Sequence, residues 1–329
     1  MDTWITAETE VKEQFYKGIV SMHLGICRGI RSRYPGPPYL YADLYAGPGQ
    51  LEWQGRQFAG SPLIFLDHAA KAGMPYEALC FEQDPAVAKR LSGAVGSLNG
   101  QRPLIFPEAC EQGFSRWLDG AGHQRNRHGL IYSDPVHDEI PHKLLARAAA
   151  MLPKVDILSY VSATQYKRRR GADPTRPFLS DHIKTIDKDV VLIRRPHTAW
   201  HWTFILWSNW VNFPQWENQG FYRLNSPAGE EIIRQLDLSS REHHEVANTP
   251  LPFDDVPYRT YAEYLKHPRF LKIRAVVFDR AAGTCERCGQ RPPTEPHHLR
   301  YPPWGTFDVP ENMIAVCHAC HCEIHGKAA

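Results

Sequence analysis

The sequence predicts an α/β chain, with a mostly parallel sheet that ends in an antiparallel hairpin, followed by a small metal-bearing domain. Three observations carry this. Between Tyr39 and about Asn209, short apolar runs rich in β-branched and aromatic residues alternate with segments of helical character. The last two runs are joined by too few residues for a crossover helix. The tail carries two Cys-x2-Cys steps, Cys285/Cys288 and Cys317/Cys320.

In chain order the runs are "YLYADLYAG", "YEALCFEQD", "PLIFPEA", "GLIYSDP", "DILSYVSA", "DVVLIRR" and "HWTFILWSN". Alternation of such strands with helices implies a sheet covered on both faces. Only Pro196 to Trp200 separate the last two, so they are expected to pair antiparallel. Trp202, Phe204 and Leu206 alternate as the inward face of that hairpin would, which leaves Trp210 and Trp216 as candidates for stacking on bases. "GEEIIRQLDLSS" reads as a helix ending near Ser240. Beyond it, periodicity is lost through "REHHEVANTPLPFDDVPYRTY", and a helix over roughly Arg269 to Ala282 leads into the cysteine-rich end. The expected organisation is a first domain over 1–240, a linker over 241–265 and a second domain over 266–329.

At 329 residues and 43% hydrophobic content, the chain is long enough for one large and one small folded domain. The net charge of +2 gives no global signal for a polyanion, so any nucleic-acid site must be local. The start, "MDTWITAETEVKEQF", has no apolar signal region, and no run reaches the roughly 18 apolar residues of a membrane span. The expected location is the cytoplasm, without membrane contact. Paired Cys-x2-Cys steps in such a compartment read as a zinc clamp rather than disulfides. Four thiolates from Cys285, Cys288, Cys317 and Cys320 can surround one Zn²⁺ tetrahedrally, a structural site on which a small domain depends for its fold.

Around this clamp stand "EPHHLRY", with His297 and His298, then Asn312 in "PENMIAVC" and His321 in "CHACHCEIHG". Adjacent side chains diverge, so two separate jobs suit the His pair better than one. From Cys285 to His325 the chain resembles the HNH endonuclease family. The resemblance implies a ββα unit that holds a catalytic divalent metal (Mg²⁺, Mn²⁺, Ni²⁺ or Zn²⁺) through His297 and His321, with His298 as general base and Asn312 orienting that base or completing the metal shell. His325 would be an extra ligand, His318 an exposed helix residue and Cys322 a buried thiol. The expected activity is phosphodiester cleavage, of DNA before RNA, with a defence or restriction role. Double-strand cutting would need a homodimer or sequential nicks, and a defence-system partner protein fits the same role.

In the first domain, "ADLYAGPGQ" ends a strand at Asp43 and turns at Gly47 and Gly49, the place where open α/β sheets bind cofactors. Glu82 ends the second strand, placed for a ribose diol, and Asp134 ends the fourth in "SDP". The alternating units and final hairpin resemble the sheet of class I S-adenosylmethionine-dependent methyltransferases. "DLYAGPG", "GSPLIFL" and "SDP" look like the three-Cys-motif partner protein family, a methyltransferase-like group. That resemblance implies a pocket for S-adenosylmethionine or a related nucleotide at Asp43, Gly47, Gly49, Glu82 and Asp134. Amino-methyltransferases usually follow the acidic residue with Pro, Pro and an aromatic, and here Val136 and His137 follow Asp134-Pro135. "SATQYKRRR" reads as a basic loop on the same rim, with Lys167, Arg168 and Arg169 as contacts to a phosphate backbone.

The main expectation is thus an HNH nuclease whose methyltransferase-like domain recognises substrate or effector. The first rival is an S-adenosylmethionine-dependent nucleic-acid methyltransferase with a structural zinc module. A non-catalytic nucleic-acid sensor is the second.

Overall fold

A computed structural model describes residues 8–95, 102–120, 126–135, 138–196, 201–211, 216–238, 261–299 and 309–325. The chain divides into two compact units, Met1–Glu245 and Val246–Ala329. Of the expected linker, 241–260 lies outside the described residues, and 261–265 belongs to the helix Tyr261–Lys266.

The first unit opens with a long helix, α1 (Glu8–Arg33). There follow β1 (Tyr39–Asp43), β2 (Gln50–Trp53), β3 (Arg56–Ala59), α2 (Ser61–Lys71), β4 (Tyr76–Phe81), α3 (Pro85–Val95), β5 (Leu104–Phe106), α4 (Cys110–Gly120) and β6 (Gly129–Ser133). The unit continues with α5 (His142–Met151), β7 (Val155–Ser162), α6 (Ala163–Ala172), α7 (Leu179–Ile183), β8 (Val190–Arg194), β9 (Trp202–Ser208), β10 (Phe221–Arg223) and α8 (Pro227–Asp237). The sheet runs β5-β4-β1-β6-β7-β9-β8-β10. From β5 to β7 every pair is parallel, while β9 lies antiparallel to both β7 and β8. This is the methyltransferase-like sheet with a terminal antiparallel hairpin. The order reverses between β1 and β6, and the crevice at their carboxyl ends is where such sheets bind ligands.

Period-two alternation explains how β9 sits in the middle of the unit. Phe204 and Leu206 face a cluster built on Tyr16, Ile19 and Leu24 of α1 with Phe65 of α2. Ile205 and Trp207 face the opposite cluster of Phe114, Leu145 and Ile233. Every residue of β9 is buried, as are those of β1 and β6, so the single inward face expected for Trp202, Phe204 and Leu206 is replaced by two covered faces. Trp216 packs against the first cluster, whereas Trp210 is 37% exposed. Gly129 is required where β6 passes β1, since a Cβ there would lie 2.2 Å from the Leu40 carbonyl oxygen.

The β2–β3 hairpin was not anticipated. It interrupts the path from the glycine turn to α2 and reverses at Gln54-Gly55, both with positive φ (50° and 74°), as a tight two-residue hairpin turn requires. The basic stretch Lys167–Arg169 also differs from expectation, because it belongs to helix α6 and not to a loop.

The second unit contains α9 (Tyr261–Lys266), α10 (Pro268–Arg280), β11 (Glu295–His298), β12 (Met313–Val316) and α11 (His318–Ile324). His267 caps α10, accepting from the Arg269 N–H at 3.2 Å, and Pro268 fills the first turn, where its missing N–H costs nothing. β11 and β12 pair antiparallel and α11 completes a ββα unit. Its small apolar cluster joins Tyr264, Phe270, Ile273, Val277 and Met313. Among the described residues no helix is long and apolar enough to cross a membrane.

Candidate active site and metal centre

The carboxyl edge of the sheet carries the first site. Leu44 N–H donates to the Tyr132 carbonyl (2.9 Å) and Ala46 N–H to that of Phe81 (2.9 Å), which pins the loop after β1 between β6 and β4. That loop then turns at Gly47 (φ +59°) and Gly49 (φ +77°). A Cβ on Gly47 would meet open space, so its backbone can be approached closely, whereas one on Gly49 would strike Leu91. Gly47 lines a cleft with Lys12 and Tyr16 of α1, Ser61 at the start of α2, and Tyr132 and Asp134 at the end of β6. The amino end of α2 contributes its partial positive charge there.

Asp43 is fully buried behind this cleft. Its Oδ2 accepts from the Tyr41 hydroxyl at 2.8 Å, and its Oδ1 accepts from the Tyr45 N–H at 3.3 Å. Because the Tyr41 proton is committed to Asp43, the Tyr16 hydroxyl, 2.7 Å away, donates to Tyr41. Burial pushes the Asp43 carboxyl up to about 6, against the opposing hydrogen bonds from Ser61, Tyr41 and Tyr45. Burial likewise drives the Tyr16, Tyr41 and Tyr132 phenols well above their ordinary value, so they serve as neutral hydrogen-bonding groups.

Glu82, at the end of β4, accepts from the Gly47 N–H through Oε2 (3.1 Å) and from the Asp84 N–H through Oε1 (2.9 Å). Each oxygen keeps a second lone-pair direction. Asp134 Oδ2 accepts from Lys12 Nζ at 2.6 Å and from the Tyr132 hydroxyl at 3.1 Å. The Lys12 ammonium also lies 4.3 Å from the centre of the Tyr160 ring. Next to Asp134, the Ser133 hydroxyl is buried with no hydrogen-bond partner among the described residues. Of the five residues expected at this site, Gly47 and Asp134 line the cleft, Asp43 is buried, Glu82 accepts from the Gly47 N–H and Gly49 packs against Leu91, while Lys12, Tyr16 and Ser61 line the cleft from helices and were not anticipated. Val136 and His137, which replace the usual proline and aromatic, lie outside the described residues.

On α6, Arg169 pairs with Asp138 and lies 3.7 Å from Glu139. Arg168 is exposed and Lys167 half-buried. The three expected phosphate contacts are therefore unlike one another.

In the second unit the sulfurs of Cys285, Cys288, Cys317 and Cys320 all lie within 4.8 Å of one another. Tetrahedral Zn²⁺ with Zn–S bonds of about 2.3 Å would place thiolates about 3.8 Å apart. The 4.0 Å between Cys288 Sγ and Cys317 Sγ fits that spacing. The Cys317 N–H donates to Cys285 Sγ at 3.3 Å, which suits a thiolate. Cys322 stands outside the group, buried, with its sulfur 3.5 Å from His318 Nε2.

A second gathering joins His297, His321 and His325, whose ring nitrogens also lie within 4.8 Å of one another. Glu295 holds this edge together, accepting from His318 Nδ1 at 2.6 Å while its other oxygen lies 2.5 Å from His321 Nδ1. Asn312 ends a turn of 3₁₀ helix, and its carbonyl accepts from the Leu299 N–H at 2.8 Å. His298 points the other way. It lies opposite Met313 in the β11–β12 register, is 5% exposed, and has its Nε2 3.5 Å from the Tyr264 hydroxyl.

No family model matches the chain. No curated protein matches it either. Solved structures do share its fold to a degree. A Legionella pneumophila protein assigned to DUF519 has 9% identity and a TM-score of 0.42, the match covering 66% of this chain and 92% of that one. A SAM-dependent methyltransferase from Agrobacterium tumefaciens has 11% identity and a TM-score of 0.35, over 63% of this chain and 64% of the other. An rRNA methylase from Streptococcus thermophilus has 8% identity and a TM-score of 0.31, over 56% and 95%. The HNH endonuclease expectation is corrected accordingly. The activities named among these neighbours are methyl transfer, and His298 Nε2 lies 3.5 Å from the Tyr264 hydroxyl. The first unit is a methyltransferase-like Rossmann sheet, and the second contains a four-cysteine cluster.

Proposed function

We propose that the chain is an S-adenosylmethionine-dependent methyltransferase acting on an amine of a nucleic acid, with its second unit a module held by structural zinc. The observation that carries this reading is Asp134. Its carboxylate stands at the carboxyl end of β6, in the same cleft as the Gly47 turn, and holds a primary amine at 2.6 Å. An acceptor amine needs such an oxygen to orient its hydrogens and aim its lone pair.

The residues fit the cofactor. The left-handed, unobstructed Gly47 backbone gives close approach, Glu82 offers lone pairs suited to a ribose diol, and Ser133 has an unused buried hydroxyl. S-adenosylmethionine would supply the methyl group as a sulfonium. The chain's own work is to hold Glu82 against Gly47, to keep the Asp134 carboxylate aimed, and to exclude water with α1. Exposed Arg168, with Lys167 beside it, supports a phosphate-bearing acceptor near the same sheet edge.

The test uses methyl-labelled S-adenosylmethionine with DNA and RNA. Label should enter nucleic acid with wild type and with His298→Ala, and fall to background with Asp134→Ala. Incorporation that survives Asp134→Ala sinks the assignment of that carboxylate. Absence of both cofactor binding and label sinks the methyltransferase reading.

A further inference from the structure

Lys12 is the one cation that reaches the carboxylate on which the methyltransferase reading depends, among the described residues. Its ammonium sits 2.6 Å from Asp134 Oδ2 and 4.3 Å from the Tyr160 ring centre, and its side chain keeps 29% of its exposure. Other groups of the cleft do not compete for it in the described contacts. Glu13, one residue along, is paired with Lys17 at 2.6 Å, and Asp43 is engaged by Tyr41 and Tyr45. Carboxylate on one side and aromatic face on the other is the environment that seats an alkyl amine and fixes its direction. The Gly47 turn lines the same cleft. An amine placed there occupies the acceptor position itself.

We propose that Lys12 Nζ is a methyl acceptor of this protein, a self-modification site on α1. This rests on the S-adenosylmethionine reading given above. The ammonium first releases a proton, by way of Asp134, to water. The freed lone pair attacks the methyl carbon of the sulfonium donor, and the new N–C bond forms as the C–S bond breaks with its electron pair going to sulfur. The products are a methylammonium on Lys12, a neutral thioether and one proton. Methylation leaves the cation in place, so the contact with Asp134 persists while one donor hydrogen is lost per methyl group.

Two measurements test this, the first needing no cofactor. Acetic anhydride labelling of the full chain, read by peptide mass spectrometry, should find Lys12 protected at least several-fold relative to exposed lysines such as Lys71. Asp134→Asn should remove that protection. Equal labelling of Lys12 in both proteins overturns the seating on which the proposal stands.

The second measurement incubates the full chain with methyl-labelled S-adenosylmethionine and maps the label. Binding of S-adenosylhomocysteine is titrated in parallel, and a far-UV circular dichroism melt confirms that each variant folds. Wild type should carry label on Lys12 in single-methyl steps, and Lys12→Arg and Asp134→Asn should carry none there. S-adenosylhomocysteine binding with label absent from Lys12, or with label only on another residue, overturns the proposal and leaves the cofactor reading standing. No binding of S-adenosylhomocysteine overturns both.

Discussion

Trp207, buried in the sheet unit, has Ile205 and Phe114 in its cluster and donates its indole N–H to the Ile183 carbonyl at 3.2 Å. Among the described residues the second unit has nothing comparable: its largest buried side chains there are Tyr264 and Phe270, and its other centre consists chiefly of cysteines. One unit is long enough to cover both faces of an eight-stranded sheet, whereas the other is of the size at which small domains commonly add a metal or another cross-link to a limited core, and it gathers four cysteines.

The strongest attack on this contrast is metal removal. Chelation, or Cys288→Ser, should unfold the second unit while the sheet unit keeps its cooperative transition, because structural zinc contributes on the order of 10–16 kcal/mol in small domains. Proteolysis that cleaves beyond residue 261 and spares the first unit would show it. A second unit that resists protease in excess chelator would break the comparison.

Next in size is Trp207→Ala, which empties a closely packed site and should cost about 3–5 kcal/mol. Denaturant titration should show the first unit's midpoint falling while the second is unmoved. A loss under about 1 kcal/mol would mean that the sheet's second face is loosely packed.

A pH-graded effect follows from His23, whose Nε2 lies 3.0 Å from Asp156 Oδ2 and whose Nδ1 lies 2.8 Å from the Tyr39 hydroxyl. Burial works against its charge, but neighbouring Cys27 and Asp156 prevail and raise it from 6.5 to about 10. Below 6.5 both folded and unfolded chains hold the proton. As pH rises from there to about 10, the unfolded chain releases it first and stability drains away. His23→Gln should remove that slope from a series of urea midpoints, and an unchanged slope would place the titration elsewhere.

The smallest expected change is Arg280→Met. Arg280 forms a two-pronged pair with Glu286 at 2.8 and 3.0 Å and also donates to the Pro310 and Met313 carbonyls; the exposed pair contributes about 1 kcal/mol or less and each carbonyl bond about 1 kcal/mol. Thermal melts of the metal-loaded protein should fall by only a few degrees. A large drop would show that electrostatics supports this unit alongside the thiols.

Much of the architecture was legible because its strands are short apolar runs, and the missing crossover between β8 and β9 announced their antiparallel pairing. The acidic strand ends Asp43, Glu82 and Asp134 could be found because strand ends carry ligands in such sheets. Lys12 could not, since it meets Asp134 across 122 positions and the helical run of α1 gives no hint of where it crosses the sheet. Gln54-Gly55 was a usable hairpin signal that the strand–helix alternation obscured. The histidine pair shows the limit most plainly. Divergence of His297 and His298 follows from strand geometry alone, but the tertiary placement of Tyr264 decides what His298 faces.

The position of β9 has a consequence for how the chain acquires its shape. β9 is wedged between β7 and β8, both of which leave the ribosome before it. Those two strands cannot pair with each other in the finished order, so both must wait with open edges until Trp202–Ser208 emerges and slots in. The parallel half from β5 to β7 can begin assembling earlier. Closure of the hairpin half is therefore the step that exposes sticky strand edges for longest, and slowed translation just before residue 202 should lengthen the window in which nascent chains aggregate.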